Sequence, residues 1–127
     1  MIILIDTNVL IWWFHDPQKL SRRAALLMKD VGNQIAVSAA SAWEMSIKVA
    51  LGKLDALNLV SNLPDEIAQE GFSEVPITVD HGIRAGALPL HHRDPFDRLL
   101  VAQAQALRVP IVSSDKLFDR YDVKRLW

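Results

Sequence analysis

Residues 2–14 read I-I-L-I-D-T-N-V-L-I-W-W-F, and the way this stretch is divided decides the fold. Four consecutive branched apolar residues, Ile2 to Ile5, suit a strand buried on both faces, as in a parallel sheet covered by helices. The polar triplet Asp6-Thr7-Asn8 falls where such a strand ends and a helix begins. In open α/β sheets ligands bind at the carboxyl ends of the strands. Asp6 is therefore either the N-cap of the next helix or one member of a site.

Working outward, Asp16-Pro17 breaks the apolar segment, because the residue before proline is pushed out of the helical region. Ser21 is an N-cap for a helix over about 22–31, stopped by Gly32-Asn33. Gln34–Val37 reads as a second strand, and Ser38 and Ser41 are alternative N-caps for a long helix ending at Gly52. Asn62 and Pro64 open another helix, closed by Gly71, and Phe72–Ile77 is a third strand that Pro76 confines to an edge. A helix follows Thr78, Pro89 ends it, and Leu90–Pro95 is a polar loop. An amphipathic helix runs from Phe96 to about Leu107, then a fourth strand at Val109–Val112, a short helix near Lys116–Arg120 and a last strand at Val123–Trp127. Strands alternating with helices at this spacing mean one α/β domain with a mostly parallel sheet.

The totals narrow the classes. The chain has 127 residues, half of them hydrophobic and 23% charged, a globular composition. It has no cysteine, which excludes thiolate zinc sites, disulfides and cysteine nucleophiles. No signal-peptide pattern and no apolar run long enough for a bilayer is present, so a cytoplasmic protein is expected. If Asp6, Glu44, Asp94, Asp97 and Asp115 gather in one pocket, fourteen Lys and Arg face only ten other acids. A mildly basic surface around an acidic pocket would suit a metal-dependent enzyme acting on a polyanion.

Two strands end in the same chemistry, Ile-Asp6-Thr7 and Val-Ser113-Ser114-Asp115. If the strand order reverses between them, Asp6 and Asp115 face one another across the crevice. Glu44 and Asp97 fall in the opening turns of helices that follow the second strand and the polar loop. Crowded carboxylates raise one another's pKa unless a cation neutralises them. Oxygen donors without Cys, and without a His pair one helical turn apart, select Mg²⁺ or Mn²⁺ over Zn²⁺. Each acid also has a purely structural reading. Asp6 and Asp115 would cap helices, Glu44 would complete a capping box with Ser41, and Asp97 would complement a helix dipole. Their joint placement favours a site.

Four stretches carry a family likeness: I-D-T-N-V at 5–9, S-A-W-E-M-S-I-K with G-K-L at 41–48 and 52–54, H-R-D-P-F-D-R-L-L-V-A-Q-A at 92–104, and V-S-S-D at 112–115. In these motifs, in their order and in length, the chain resembles PIN-domain ribonuclease toxins of the VapC type. The resemblance implies an α/β PIN fold, a parallel five-stranded sheet ordered 3-2-1-4-5 between helices. It implies a Mg²⁺- or Mn²⁺-dependent endoribonuclease with Asp6, Glu44, Asp97 and Asp115 as catalytic, metal-holding acids and Asp94 beside them. Thr7, Asn8 and Ser114 would orient these groups by hydrogen bonds. It further implies a homodimer and a cognate antitoxin that assembles with the toxin and lies across it.

Lys48, Lys53, Arg93 and Arg98 are near enough to the acids in sequence to hold RNA phosphates. Arg22, Arg23, Lys116, Arg120, Lys124 and Arg125 read as plain surface, and His91 and His92 as loop or capping residues rather than ligands. Consecutive helical residues point about 100° apart, so Trp12, Trp13 and Phe14 cannot all enter one core. At least one should be partly exposed, and a protein contact suits it better than RNA. A haloacid-dehalogenase-like phosphohydrolase also begins with a strand-end Asp, but it wants a second acid two residues on, where this chain has Asn8. A receiver domain wants paired acids and a lysine that are not evident. A non-catalytic PIN-like binding module is the remaining alternative, and the full set of acids gives it no support.

Overall fold

A computed structural model describes residues 1–127. The chain begins with β1 (Ile2–Ile5) and α1 (Thr7–His15), followed by a 3₁₀ turn at Pro17–Lys19 and α2 (Arg22–Lys29). Then come β2 (Gln34–Ser38), α3 (Ala39–Ala50), α4 (Leu57–Ser61), α5 (Leu63–Gln69) and β3 (Ser73–Val75). The remainder is α6 (Val79–Ala87), α7 (Pro95–Leu107), β4 (Ile111–Val112), a 3₁₀ turn at Lys116–Arg120 and β5 (Arg125–Leu126). The five strands form one sheet in the order β3-β2-β1-β4-β5, and every pairing is parallel.

The alternation inside β1 divides the interior into two layers. Ile3 and Ile5 point into one cluster with Val9, Leu10, Met28, Ile35, Val37 and Met45. Leu4 points into the other, with Leu100, Val101, Ile111 and Phe118. A run of apolar residues without polar alternation is what a strand with both faces covered requires. Because β2 lies on one side of β1 and β4 on the other, the chain order reverses beside β1, and the tips of β1 and β4 open onto one crevice.

Local chemistry sets most of the boundaries. Ser21 caps α2 by accepting from Ala24 N at 3.0 Å, and Thr78 caps α6 by accepting from His81 N. Ser38, rather than Ser41, caps α3. Pro95 occupies the first turn of α7, where its missing N–H costs nothing, so the helix starts one residue earlier than the Phe96 expectation. Gly52 and Gly71 take positive φ just past α3 and α5. The short α4 has no side-chain cap and was not anticipated. β3 is an edge strand, as Pro76 required, though it covers only Ser73–Val75.

The aromatic run on α1 is half-buried throughout. Trp12 packs on Trp127 with ring centres 5.9 Å apart, and Trp13 packs on Phe72 at 5.7 Å. These rings therefore spend much of their surface on the fold itself. No helix is long and apolar enough to cross a membrane.

Candidate active site

Asp6 sits at the tip of β1, where its N–H bonds Val112 O of β4 at 3.1 Å. Its Oδ1 accepts from Val9 N at 2.8 Å, so it does cap α1. Capping occupies one oxygen and does not exclude a second role. Burial pushes the Asp6 carboxyl up to about 6; the negative charges of Asp115 and Glu44 add to this, while bonds from the Ser113 hydroxyl and Val9 N–H oppose it.

Glu44 projects from α3 and is buried. Since Ser38 is the N-cap, Glu44 closes no capping box, and that structural reading fails. Ser41 instead lies inside the helix, where its Oγ accepts from Thr7 Oγ1 at 2.9 Å and ties α3 to α1. Glu44 Oε2 accepts from Lys48 Nζ at 2.6 Å. Its other oxygen, Oε1, is buried without any hydrogen-bond partner.

Asp97 lies in the first turn of α7, behind Asp94, the N-cap, whose Oδ1 accepts from Phe96 N at 2.8 Å and Asp97 N at 3.4 Å. Burial, then the charges of Asp94, Asp6, Glu44 and Asp115, push the Asp97 carboxyl up to about 8. The other four acids thus all act on Asp97.

Asp115 caps the second 3₁₀ turn through Oδ1, which accepts from Leu117 N at 2.9 Å. Its Oδ2 is 2.8 Å from His92 Nε2, and Asp97 Oδ2 is 3.1 Å from the same nitrogen. His92 Nδ1 accepts from Asp94 N at 3.2 Å, which puts the ring proton on Nε2, where it donates between the two carboxylates. His92 N in turn donates to Tyr121 Oη, which itself donates to Pro89 O at 2.7 Å. His92 is therefore a buried member of the site, not the solvated or capping loop residue expected. Nothing local in the sequence signals it; Tyr121, far along the chain, folds the loop inward.

Five further expectations need correction. Of the serines after β4, Ser113 rather than Ser114 serves the acids: it is fully buried, accepts from Asp115 N at 3.0 Å and its hydroxyl favours the charged form of Asp6. Ser113, the first residue past β4, stays inside the fold, while Ser114 beyond it is half-buried. Thr7 bonds Ser41 rather than a carboxylate, and Asn8 faces solvent. Arg98 is buried and does not face a ligand: it donates to Pro89 O at 3.0 Å, Ala85 O at 2.8 Å and Leu88 O at 2.9 Å. It closes the carboxyl end of α6, whose dipole favours a cation there. Lys48 reaches the site, while Lys53 and Arg93 are exposed. Arg125, read as plain surface, donates to Ser113 O at 3.1 Å and braces the tip of β4.

The donor set fits a hard divalent cation. Several carboxylates are held together at an energetic cost, and one buried carboxylate oxygen has no partner. Asp97 and Asp115 offer oxygens held close together by the bridging His92 Nε2–H.

The PIN-domain family model matches residues 3–124. Ribonuclease VapC22 of Mycobacterium tuberculosis is 30% identical over 115 residues, covering 90% of this chain and 87% of that protein. Ribonuclease VapC16 of the same organism is 45% identical over 56 residues, a match spanning 43% of this chain but only 38% of that relative. Among solved structures, VapBC2 of Rickettsia felis bound to a promoter DNA fragment aligns with TM-score 0.71 at 17% identity, covering 99% of this chain and 98% of that one. A toxin–antitoxin complex from Klebsiella pneumoniae aligns with TM-score 0.60 at 23% identity, covering 89% and 86%. With nearly the whole chain matched, and with the acids at the tips of its central strands, the protein belongs to the PIN-domain family as a member of the VapC type.

Proposed function

We propose that this chain is a divalent-metal-dependent endoribonuclease that hydrolyses RNA phosphodiester bonds, the toxin of a type II toxin–antitoxin pair that inhibits translation and growth. The observation carrying the nuclease reading is the acid cluster of buried Asp6 and Glu44 with half-buried Asp97 and Asp115, Glu44 Oε1 being left unpartnered. These four acids would hold Mg²⁺ or Mn²⁺, with Asp94 beside them. A bound divalent cation supplies charge to phosphoryl oxygens and makes water a better nucleophile.

The chain's own groups divide the remaining work. His92 keeps Asp97 and Asp115 in register through Nε2, and Val9 N–H holds Asp6 through Oδ1. Lys48 lies beside Glu44 and adds positive charge where a substrate phosphate would approach. Lys53 and Arg93, both exposed, extend that basic approach. The toxin role, a cognate antitoxin and a toxin–antitoxin hetero-oligomer are supported by the relatives' names and by the solved complexes sharing the fold, and a homodimer is proposed with them. A cytoplasmic location fits RNA as substrate. The phosphohydrolase alternative finds no second acid at Asn8.

The test is cleavage of a structured RNA by purified protein in Mg²⁺ or Mn²⁺, against EDTA and against Asp6→Asn. Cleavage should stop in both controls while the fold persists. Full activity of a metal-loaded Asp6→Asn protein would sink the assignment.

A further inference from the structure

Trp43 is the most exposed aromatic ring adjoining the acids: it is 59% exposed and immediately precedes buried Glu44 on α3. Its ring meets Phe96 edge-on, with centres 5.2 Å apart and planes at 78°. Phe96 immediately precedes Asp97 on α7. Two aromatic rings from two helices thus stand side by side, each one residue from a site acid. A T-shaped pair fixes the orientation of the indole while leaving its outer face bare.

Holding an indole in water beside a cluster of carboxylates gives the fold little. The neighbours that would bury it are missing, in contrast to Trp12 and Trp13, which lie on Trp127 and Phe72. Positive charge lies on the same helix. Lys48 is bonded to Glu44 and feels the charges of Asp94 and Asp97, so an ammonium stands among the acids that Trp43 and Phe96 adjoin in sequence. Charge of both signs and a rigid aromatic face side by side match a nucleotide: the phosphate goes to the cation side, and the base, one sugar away, reaches the ring.

We infer that Trp43, propped by Phe96, is a base-stacking platform that holds the nucleobase next to the scissile phosphate. This rests on the ribonuclease reading above and assigns that site a recognition element for single-stranded RNA. Stacking on an indole accepts any base, so the platform positions an unpaired base rather than reading its identity. Trp43 touches no reacting atom; it is a positioning residue, and a duplex with all its bases stacked would not engage it.

The experiment measures binding of two labelled, single-stranded hexaribonucleotides by fluorescence anisotropy, one with all its bases and one abasic at the central position. Wild type, Trp43→Phe and Trp43→Ala are compared, and cleavage of bulk RNA in Mg²⁺ is followed in parallel. Wild type should prefer the base-bearing oligomer by about ten-fold, in line with the usual loss on removing one stacking ring. Trp43→Ala should bind both oligomers equally and raise KM more than it lowers kcat, while Trp43→Phe keeps most of the preference. The ring is exposed, so both variants should fold, which circular dichroism checks. Unchanged discrimination in Trp43→Ala, with wild type still cutting RNA, overturns the platform and leaves the nuclease standing. A wild type that neither binds nor cuts RNA removes the nuclease reading, and the platform with it. If Trp43→Ala instead converts a dimer to monomers in light scattering, with discrimination intact, the ring serves a subunit contact and the inference is wrong.

Discussion

Lys48 Nζ donates to Glu44 Oε2 across one turn of α3 at 2.6 Å, and the same carboxylate's second oxygen is buried without a partner. A single cation therefore answers half of what Glu44 requires. The remaining demand is for positive charge, and it predicts how the protein responds to metal. Saturating Mg²⁺ should raise the melting temperature by on the order of 10 °C, the consequence of a ligand at about a hundred times its Kd. Glu44→Gln should lose most of that increment, as read by scanning fluorimetry with Mg²⁺ and with EDTA. An equal Mg²⁺ shift in both proteins would place the cation elsewhere.

The acids give the metal-free protein a defined pH response. In the folded state Asp97 is pushed up to about 8 from 3.8, and Asp6 to about 6. Between those limits the folded chain binds protons more tightly than the unfolded one, so stability falls as pH rises from about 4 to about 8. Asp6 contributes over the lower part of that window and Asp97 over all of it. Asp97→Asn removes the larger share and should stabilise the metal-free protein at pH 8–9, by on the order of 2–5 kcal/mol, with no gain near pH 4. Urea unfolding in EDTA at both ends of the range measures this. The same substitution should abolish cleavage, separating stability from activity.

The Thr7–Ser41 hydroxyl pair joins α1 to α3 in a buried setting. Thr7→Val would leave the Ser41 hydroxyl short of a donor and should cost about 1–3 kcal/mol. The double variant Thr7→Val, Ser41→Ala removes both hydroxyls and should recover part of the loss. If the single and double variants prove equally unstable in chemical denaturation, the bond is not what holds these helices.

Arg98 supplies a contrast with Lys48. Its guanidinium is spent on the last carbonyls of α6 and on Pro89. Arg98→Met should lose about 2–4 kcal/mol of stability, because buried carbonyls lose a charged donor. Lys48→Met should keep the fold and weaken RNA binding, with a shallower salt dependence. RNA affinity lost in folded Arg98→Met would contradict the division.

Residues whose role is set by their immediate neighbours were the ones legible in the sequence. Ile2–Ile5 announced a doubly covered strand, Pro76 an edge, and Thr78 and Ser21 their helices. The acids at the tips of β1 and β4 were legible for the same reason, since a strand end is a local pattern and the crevice follows from strand order. What escaped was decided by distant partners. His92 enters the site because Tyr121 holds its loop. Arg98 turned inward to satisfy a helix end ten or so residues upstream. Ser113 and Ser114 differ in how deeply the chain past β4 lies inside the fold, and two adjacent serines look alike until that path is known.

The parallel order β2-β1-β4 has a consequence for how the protein comes into being. While the chain is being made, β1 acquires β2 early, but its other edge stays open until β4 emerges, after both Glu44 and Asp97 have been synthesised. Contacts this far apart in sequence form late, after the local helices. Asp115 and Ser113 arrive with that last pairing, and His92 has nothing to bridge before it. A chain made only as far as α7 thus carries Asp6, Glu44, Asp94 and Asp97 but no crevice, which exists only once β4 has paired with β1.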